Sequence, residues 1–398
     1  MKVLVVSHLW PRSDWPHLGV FVAEQVESLR KTCNISIIVP VDFTIRRNEL
    51  TLRQLFSGFI NYHRRSHPDL LHLPDVDLKI VPFRAGLLRE TFARSAARRL
   101  ARALGQINAD QFDLVHAHTV FPDGLACALW LENRPIPLVV TAHGSDVHSI
   151  AGGVKNEVAV LLKRANALVP VSRFLGDCLV EFGADPAKVH PIPNGFPAEQ
   201  FIGVDDTRRN VKKIAFLGRL DPIKRIDLLI QAISHLPKDV ILEIAGDGPA
   251  RKQYEALTDK LGLRGRVHFY GMLSRGKVPG FLAGAGLMCL VSLQEGWPTV
   301  IYEALASGTP VLATSVGGIP EALSDPGLGR LVPVDIAPKA LAEKIESCLE
   351  VDWDRSQIRE HAFKHSWDEV TARLTALYDN LLEARNRLTG EELTNKGF

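Results

Sequence analysis

Four short stretches place groups capable of chemistry where a strand would hand over to a helix. The most specific is Glu295-Gly296-Trp297-Pro298-Thr299-Val300-Ile301-Tyr302-Glu303. An apolar run over 287–291 leads to an acid and a glycine, and Pro298 is expected at the first helical position, where its missing N–H costs nothing. A helix start offers amides to anionic or hydroxylated groups. Glu295 would sit on the loop and Glu303 further along the helix. Carboxylates accept paired hydroxyl hydrogen bonds, a chemistry suited to a sugar and a ribose. In the second stretch, Phe216-Leu217-Gly218-Arg219-Leu220-Asp221-Pro222-Ile223-Lys224, a strand ends at a glycine and two cations follow five residues apart. Arg forks onto phosphate oxygens and Lys adds a point charge, the neutralisation a diphosphate leaving group needs. The third stretch, Thr141-Ala142-His143-Gly144-Ser145-Asp146, puts His143 at a strand tip, where an imidazole can bond a hydroxyl or trade a proton. In the fourth, Gly19 precedes a helix, so its backbone can approach a phosphate or sugar closely.

These stretches need a scaffold of strands whose ends line up. Continuous apolar runs at 3–6, 35–39, 114–116, 138–141 and 167–171 alternate with helical patterns, and the alternation restarts at 213–217, 240–245, 267–270, 286–291 and 311–313. Runs without polar alternation are buried on both faces, as in parallel sheets covered by helices. The fold class is therefore α/β. Two Rossmann-like domains are expected, over 1–195 and 211–370, joined by a Pro-, Gly- and charge-rich linker at 196–210. A helix and polar tail at 371–398 end the chain.

The chain has 398 residues, 46% of them apolar and 23% charged. That fits two soluble domains and excludes a disordered, collagenous or coiled-coil body. Lys and Arg number 47 against 45 acids, a net charge of +2, which gives no field for nucleic acid. Five scattered cysteines, 33, 127, 178, 289 and 348, make neither a disulfide framework nor a zinc ribbon and read as buried free thiols. No apolar run approaches the roughly 18 residues of a membrane span, and the opening reads as a buried strand rather than a signal peptide. A cytoplasmic protein is expected, free or attached to the inner membrane face. One segment bears on attachment: from 84 to 104 there are six Arg and a single acid, Glu90. Leu88, Phe92, Ala96, Leu100 and Leu104 form a stripe opposite Arg94, Arg98 and Arg102. A solvated face and a patch for anionic headgroups both fit.

Three other patterns carry less. Asp75-Val76-Asp77 resembles a metal-holding acid pair but precedes a strand instead of ending one. His116 and His118 read as strand-tip histidines at a cleft edge, without a third ligand nearby. Gly284-Ala285-Gly286 runs from helix into strand, the reverse of the dinucleotide order.

At these residues the chain resembles glycosyltransferase family 4, retaining enzymes of the two-domain GT-B fold. GRLDPIKRIDLLIQA, IAGDGP, the E-x7-E of Glu295 and Glu303, SGTPVLATSVGGIPE, PVSRF, PIPNGF and KHSWDEVTARLTALY are similar to its segments. PHLGVFVAEQVESL is similar to the teichuronic-acid and exopolysaccharide subset. The resemblance implies two domains facing across a cleft and a terminal helix returning to the first. It implies that Arg219 and Lys224 hold a donor diphosphate with Gly19 closing over it. Glu303 would bind the ribose, and Glu295 with Gly296, Trp297, Pro298 and Thr299 the donor sugar, with His143 beside that sugar. His143 and Glu295 are the implied catalytic groups. The implied donor is a nucleoside-diphosphate sugar and the acceptor a lipid-linked or polysaccharide glycan. No metal or cofactor is implied, and the leaving phosphate would help deprotonate the acceptor. A nucleotide-sugar epimerase, a sugar phosphorylase or an inactive membrane scaffold would share much of this pattern. Two positions depart from the family: Arg225 stands where Gly commonly follows the Lys, and Trp297 where Phe is usual.

Overall fold

The computed structural model describes residues 1–13, 15–42, 69–83, 93–148, 150, 155–205, 207 and 209–395. They form two units, Met1–Asn194 with Val370–Phe398, and Gly195–Glu369.

Among its described residues the first unit holds six strands: β1 (Lys2–Val6), β2 (Asn34–Asp42), β3 (Asp77–Phe83), β4 (Leu114–His118), β5 (Leu138–Ala142) and β6 (Ala167–Pro170). All pair in parallel, in the order β3-β2-β1-β4-β5-β6. Val3 lies opposite both Ile35 and Leu114, so the apolar opening run is the sheet's centre and is buried on both faces. The order reverses between β1 and β4, and at such a switch point the loops beyond the strand ends diverge and leave a crevice. The helix Arg173–Glu181 starts at Ser172, whose Oγ accepts from the Leu175 amide at 3.2 Å. This is the physical content of the PVSRF motif.

The second unit repeats the plan with β7 (Asn210–Leu217), β8 (Ile241–Ala245), β9 (Val267–Gly271), β10 (Ala285–Leu290), β11 (Val311–Thr314) and β12 (Gly329–Val332). The order is β12-β11-β10-β7-β8-β9, again all parallel, reversing between β10 and β7. Gly286 is a packing glycine within β10. A Cβ there would lie 2.1 Å from the Val211 carbonyl oxygen, which accounts for the Gly-Ala-Gly without a nucleotide.

The stretch expected to be a linker is instead part of the second unit. Phe196 and Phe201 are buried in its core, and Phe196 stacks on Tyr302. Two aromatic side chains buried there hold the stretch to the fold, whatever its Pro and Gly content. Gly195 packs against the Trp367 backbone, so the chain enters and leaves this unit side by side. From Val370 the long helix Trp367–Asn395 belongs to the first unit, with Leu374 and Tyr378 fully buried in it.

All five cysteines are unpaired; four are buried and Cys178 is half-buried. Asp75 sits in a turn at φ 58° and Asp77 opens β3. No described helix is long and apolar enough to cross a membrane.

Candidate functional site

Each unit gathers chemical groups at the carboxyl edge of its sheet. In the second unit, β7 ends at Leu217 and the loop carries Arg219 and Asp221 into a short turn, Pro222–Lys224. The Asp221 carboxylate lies 3.7 Å from the Arg219 guanidinium, which is more than half exposed. Lys224 reaches Glu295 at 2.6 Å. Glu295 Oε1 also accepts from Ser292 Oγ at 2.6 Å, and Thr314 Oγ1 donates to the Ser292 carbonyl at 2.6 Å. The Leu293 amide bonds the Ile223 carbonyl at 2.8 Å, locking the two loops together. Lys224 and Glu295, 71 residues apart, are thus one ion pair at the switch point of the second sheet. Both are largely shielded from water, where a charge-assisted bond is stronger than at the surface.

Gly317 supports this loop from beneath. It has φ 54°, and a Cβ on it would lie 1.8 Å from the Glu295 carbonyl oxygen. Only glycine tolerates both conditions.

Pro298 caps the helix Thr299–Ala306 instead of opening it, and Thr299 is the first helical residue. Proline has no N–H, so of the residues 296–299 only Gly296, Trp297 and Thr299 carry amides. Trp297 stacks on Tyr302 with ring centroids 5.6 Å apart and packs on the core, so its bulk goes into the protein. Glu303 sits one helical turn beyond Thr299, about 6 Å along the axis. Arg225, at the departure from the family pattern, adopts φ 51° as the cap of the helix Ile226–Ile233. The conformation is one that glycine would take without strain, and the Arg225 guanidinium donates to the Val334 carbonyl.

In the first unit, Gly19 caps the helix Val20–Leu29 at φ 64°. A Cβ there would lie 2.3 Å from the Leu9 carbonyl carbon, so the loop after β1 is folded tightly onto the helix start. His143 follows β5 directly. Asp146, one turn on, is buried and holds the loop with its carboxylate. Oδ1 accepts from the His143 and Gly144 amides at 3.0 and 2.9 Å, and Oδ2 from the Val120 amide at 2.7 Å. Burial raises the Asp146 pKa, and these amides oppose the rise.

His143 does not stand alone. Its Nε2 lies 3.1 Å from His118 Nδ1, and its ring lies 4.6 Å from that of Phe21. Among the described residues, His118 Nε2 and His143 Nδ1 are buried without a partner. Burial, then the charge His8 can carry, pushes the His143 pKa down to about 3, and burial likewise lowers that of His118. Two neutral imidazoles joined this way share one proton, so one outer nitrogen is a donor and the other an acceptor. His118 is the last residue of β4, as expected of a strand tip, but neither it nor His116 lies at an open edge. Both are fully buried, because β4 is an interior strand. His116 lies 2.6 Å from the Tyr378 hydroxyl and 2.7 Å from Thr141 Oγ1, which uses both its nitrogens. Among the described residues no three His, Cys, Asp or Glu are placed to hold a metal ion together.

Two groups here were not singled out from sequence. Asp123, fully buried, accepts with Oδ2 from the His8 amide at 2.9 Å and pairs with His8 Nδ1 at 2.7 Å. His8 follows the first strand and is legible as a strand-end histidine, whereas its partner, 115 residues away, carries no local signal.

The family profile described as "Glycosyl transferases group 1" matches residues 199–365, and "Glycosyltransferase Family 4" matches 61–200. The chain is similar to a Bacillus subtilis protein named as the teichuronic acid biosynthesis glycosyltransferase TuaC, at 29% identity over 80% of this chain and 82% of that one. It is equally similar, at 29% over 74% and 75%, to an MMP alpha-(1->4)-mannosyltransferase of Mycolicibacterium hassiacum. Its fold matches Anabaena HepE crystallised with UDP and glucose, with a TM-score of 0.68 at 19% identity, covering 95% of this chain and 99% of that one.

Proposed function

Because the chain belongs to glycosyltransferase family 4, with two Rossmann-like units of GT-B type, we propose that it moves a sugar from a nucleoside-diphosphate donor to a lipid-linked or polysaccharide acceptor with retention of configuration. The reaction belongs to cell-surface or exopolysaccharide synthesis, a reading supported by the relative named for teichuronic acid biosynthesis. One observation carries the reading: Lys224, held on Glu295 beside Arg219, supplies cationic groups at a sheet switch point with a carboxylate next to them. On binding, the diphosphate takes Lys224 and Arg219, and Glu295 turns its freed oxygens to the donor sugar. Glu303 takes the ribose hydroxyls, and the amides of Gly296, Trp297 and Thr299 take sugar oxygens. Gly19 is assigned to the donor phosphates and His143 to the donor sugar. Cations and amides neutralise the leaving group, so no metal or cofactor takes part.

Membrane contact, where it occurs, is electrostatic. On the helix Ala93–Leu104, Ala96, Ala97, Leu100 and Leu104 are buried in the unit while Arg98 and Arg102 are exposed. The apolar stripe is therefore spent on the core and only charge is left for anionic headgroups. Arg94 lies on the same helix with its side chain outside the described residues, and Leu88 and Phe92 lie outside the described residues altogether.

A thermal-shift series with UDP, GDP, ADP and their sugars, with and without EDTA, tests the reading. One nucleotide should raise the melting temperature in EDTA, and Arg219→Ala and Lys224→Ala should abolish the rise. An unshifted melting temperature with all of them would count against a nucleotide-sugar transferase. The anomeric configuration of the first-formed product, read by NMR, tests retention.

A further inference from the structure

We propose that Ser292 is a positioning residue that holds the Glu295 carboxylate on the donor sugar once Lys224 has turned to the diphosphate, a role that rests on the transferase reading above. Glu295 Oε1 takes two bonds, from Lys224 Nζ and from Ser292 Oγ, each at 2.6 Å. Among the described residues no hydrogen bond is made to Oε2. The Glu295 side chain is only 9% exposed, so little water reaches it.

Donor binding sets the two bonds apart. A diphosphate draws Lys224, because an ammonium is attracted more strongly to two phosphate charges than to one carboxylate. Glu295 then loses its cation, and a shielded carboxylate left without a donor is a costly state. Ser292 is the donor that stays. Its hydroxyl keeps Oε1 in place, and the sugar hydroxyls bond the remaining lone pairs of the carboxylate. Without that hydroxyl the side chain swings among its rotamers, and the oxygen meant for the sugar goes with it.

Ser292 is itself held by the sheet. β10 ends at Leu290, paired with Ala313 of β11, and Ser292 just beyond it is fully buried. Thr314, the last residue of β11 and equally buried, donates from Oγ1 to the Ser292 carbonyl at 2.6 Å. The loop leaving β11 supports the main chain of the acid as well. Gly317 packs against the Glu295 carbonyl, and the Gly318 amide donates to the Gly296 carbonyl at 3.2 Å. Removing the Ser292 hydroxyl therefore leaves these backbone ties in place and frees the carboxylate alone. Every group named lies within the second unit.

The test is calorimetric titration of the full chain with UDP, GDP and ADP, and with UDP-glucose, GDP-mannose and ADP-glucose. It compares the wild type, Ser292→Ala, Glu295→Gln and the double variant. Ser292→Ala should keep the affinity for the preferred nucleotide within about twofold. Its affinity for the matching nucleotide-sugar should fall about tenfold or more, as expected when a hydrogen bond to a charged group is lost. Adding Ser292→Ala to Glu295→Gln should lower that affinity by less than about twofold further, since a residue acting through another adds nothing once the other is gone. Equal losses for nucleotide and nucleotide-sugar would make the hydroxyl a structural support and overturn the proposal. It is also overturned by an unchanged nucleotide-sugar affinity, by losses that add in the double variant, or by a wild type that binds a nucleotide but none of the sugars. If Ser292→Ala does not fold, Ser292→Cys, of similar size and a weaker donor, takes its place under the same criteria. A wild type that binds none of the six compounds sinks the transferase reading itself, and the role of Ser292 with it.

Discussion

His116 shows how much a single residue can depend on surroundings the sequence does not display. Its ring is fully buried between Tyr378 and Thr141, and burial, with His143 second, pushes its pKa from 6.5 down to about 3. Between those values the unfolded chain binds a proton that the folded one refuses. Stability therefore falls as pH drops from 6.5 toward 3, by about 1.4 kcal/mol per pH unit for this group. Urea unfolding at pH 7 and pH 5 should show the loss, and His116→Gln should flatten the dependence by this one histidine's share. An unchanged slope in the variant would mean that the folded state accommodates the charge. At the same scale, the neutral state of His118 and His143 follows from burial at the ends of interior strands. Local sequence gave the position of His143 and no hint of its hydrogen-bond partner.

Two elements begin at residues with left-handed backbone, and they should respond to substitution in opposite directions. Gly19 opens the helix Val20–Leu29 with its α-carbon against Leu9, so Gly19→Ala adds both dihedral strain and a clash with backbone. A loss of about 2–3 kcal/mol is expected, seen as a lower unfolding midpoint. Arg225 opens the helix Ile226–Ile233 in the same conformation without glycine's freedom. Arg225→Gly relieves about 1 kcal/mol of strain and gives up one hydrogen bond at the surface, to the Val334 carbonyl. The melting temperature should rise by about 2–4 °C. A fall would show that the guanidinium bond outweighs the backbone term. Elements of this kind were readable in outline, because apolar runs and glycine stops mark strands and helix starts. Pro298 was placed one residue late, since a proline suits the cap and the first turn alike.

Across the whole molecule, the carboxyl-terminal helix is the part whose removal should be felt far from where it sits in sequence. From Val370 it completes the first unit, with Leu374 and Tyr378 fully buried and Arg385 donating to the Asp113 carbonyl at 3.0 Å. A chain ending at Glu369 should lose the cooperative unfolding of the first unit. The second, with its sheet and core intact, should keep the nucleotide-induced stabilisation. Limited proteolysis that cleaves first within 1–194 would confirm this order. The milder Tyr378→Phe removes only the hydroxyl that meets His116 and should cost about 1–3 kcal/mol.

The sequence by itself determined the two α/β units, their parallel strands, the loops that carry Arg219, Lys224 and Glu295 and the helix that carries Glu303, because burial on both faces leaves uninterrupted apolar runs and strand ends are marked by glycine and charge. Tertiary structure alone decided the rest. It folded Phe196 and Phe201 into a core where composition suggested a tether, and it buried both histidines of β4. It paired Lys224 with Glu295 across 71 residues and His8 with Asp123 across 115. Such pairs depend on which strands become neighbours at a switch point, and strand order is set by the packing of the whole sheet, on which no local pattern reports.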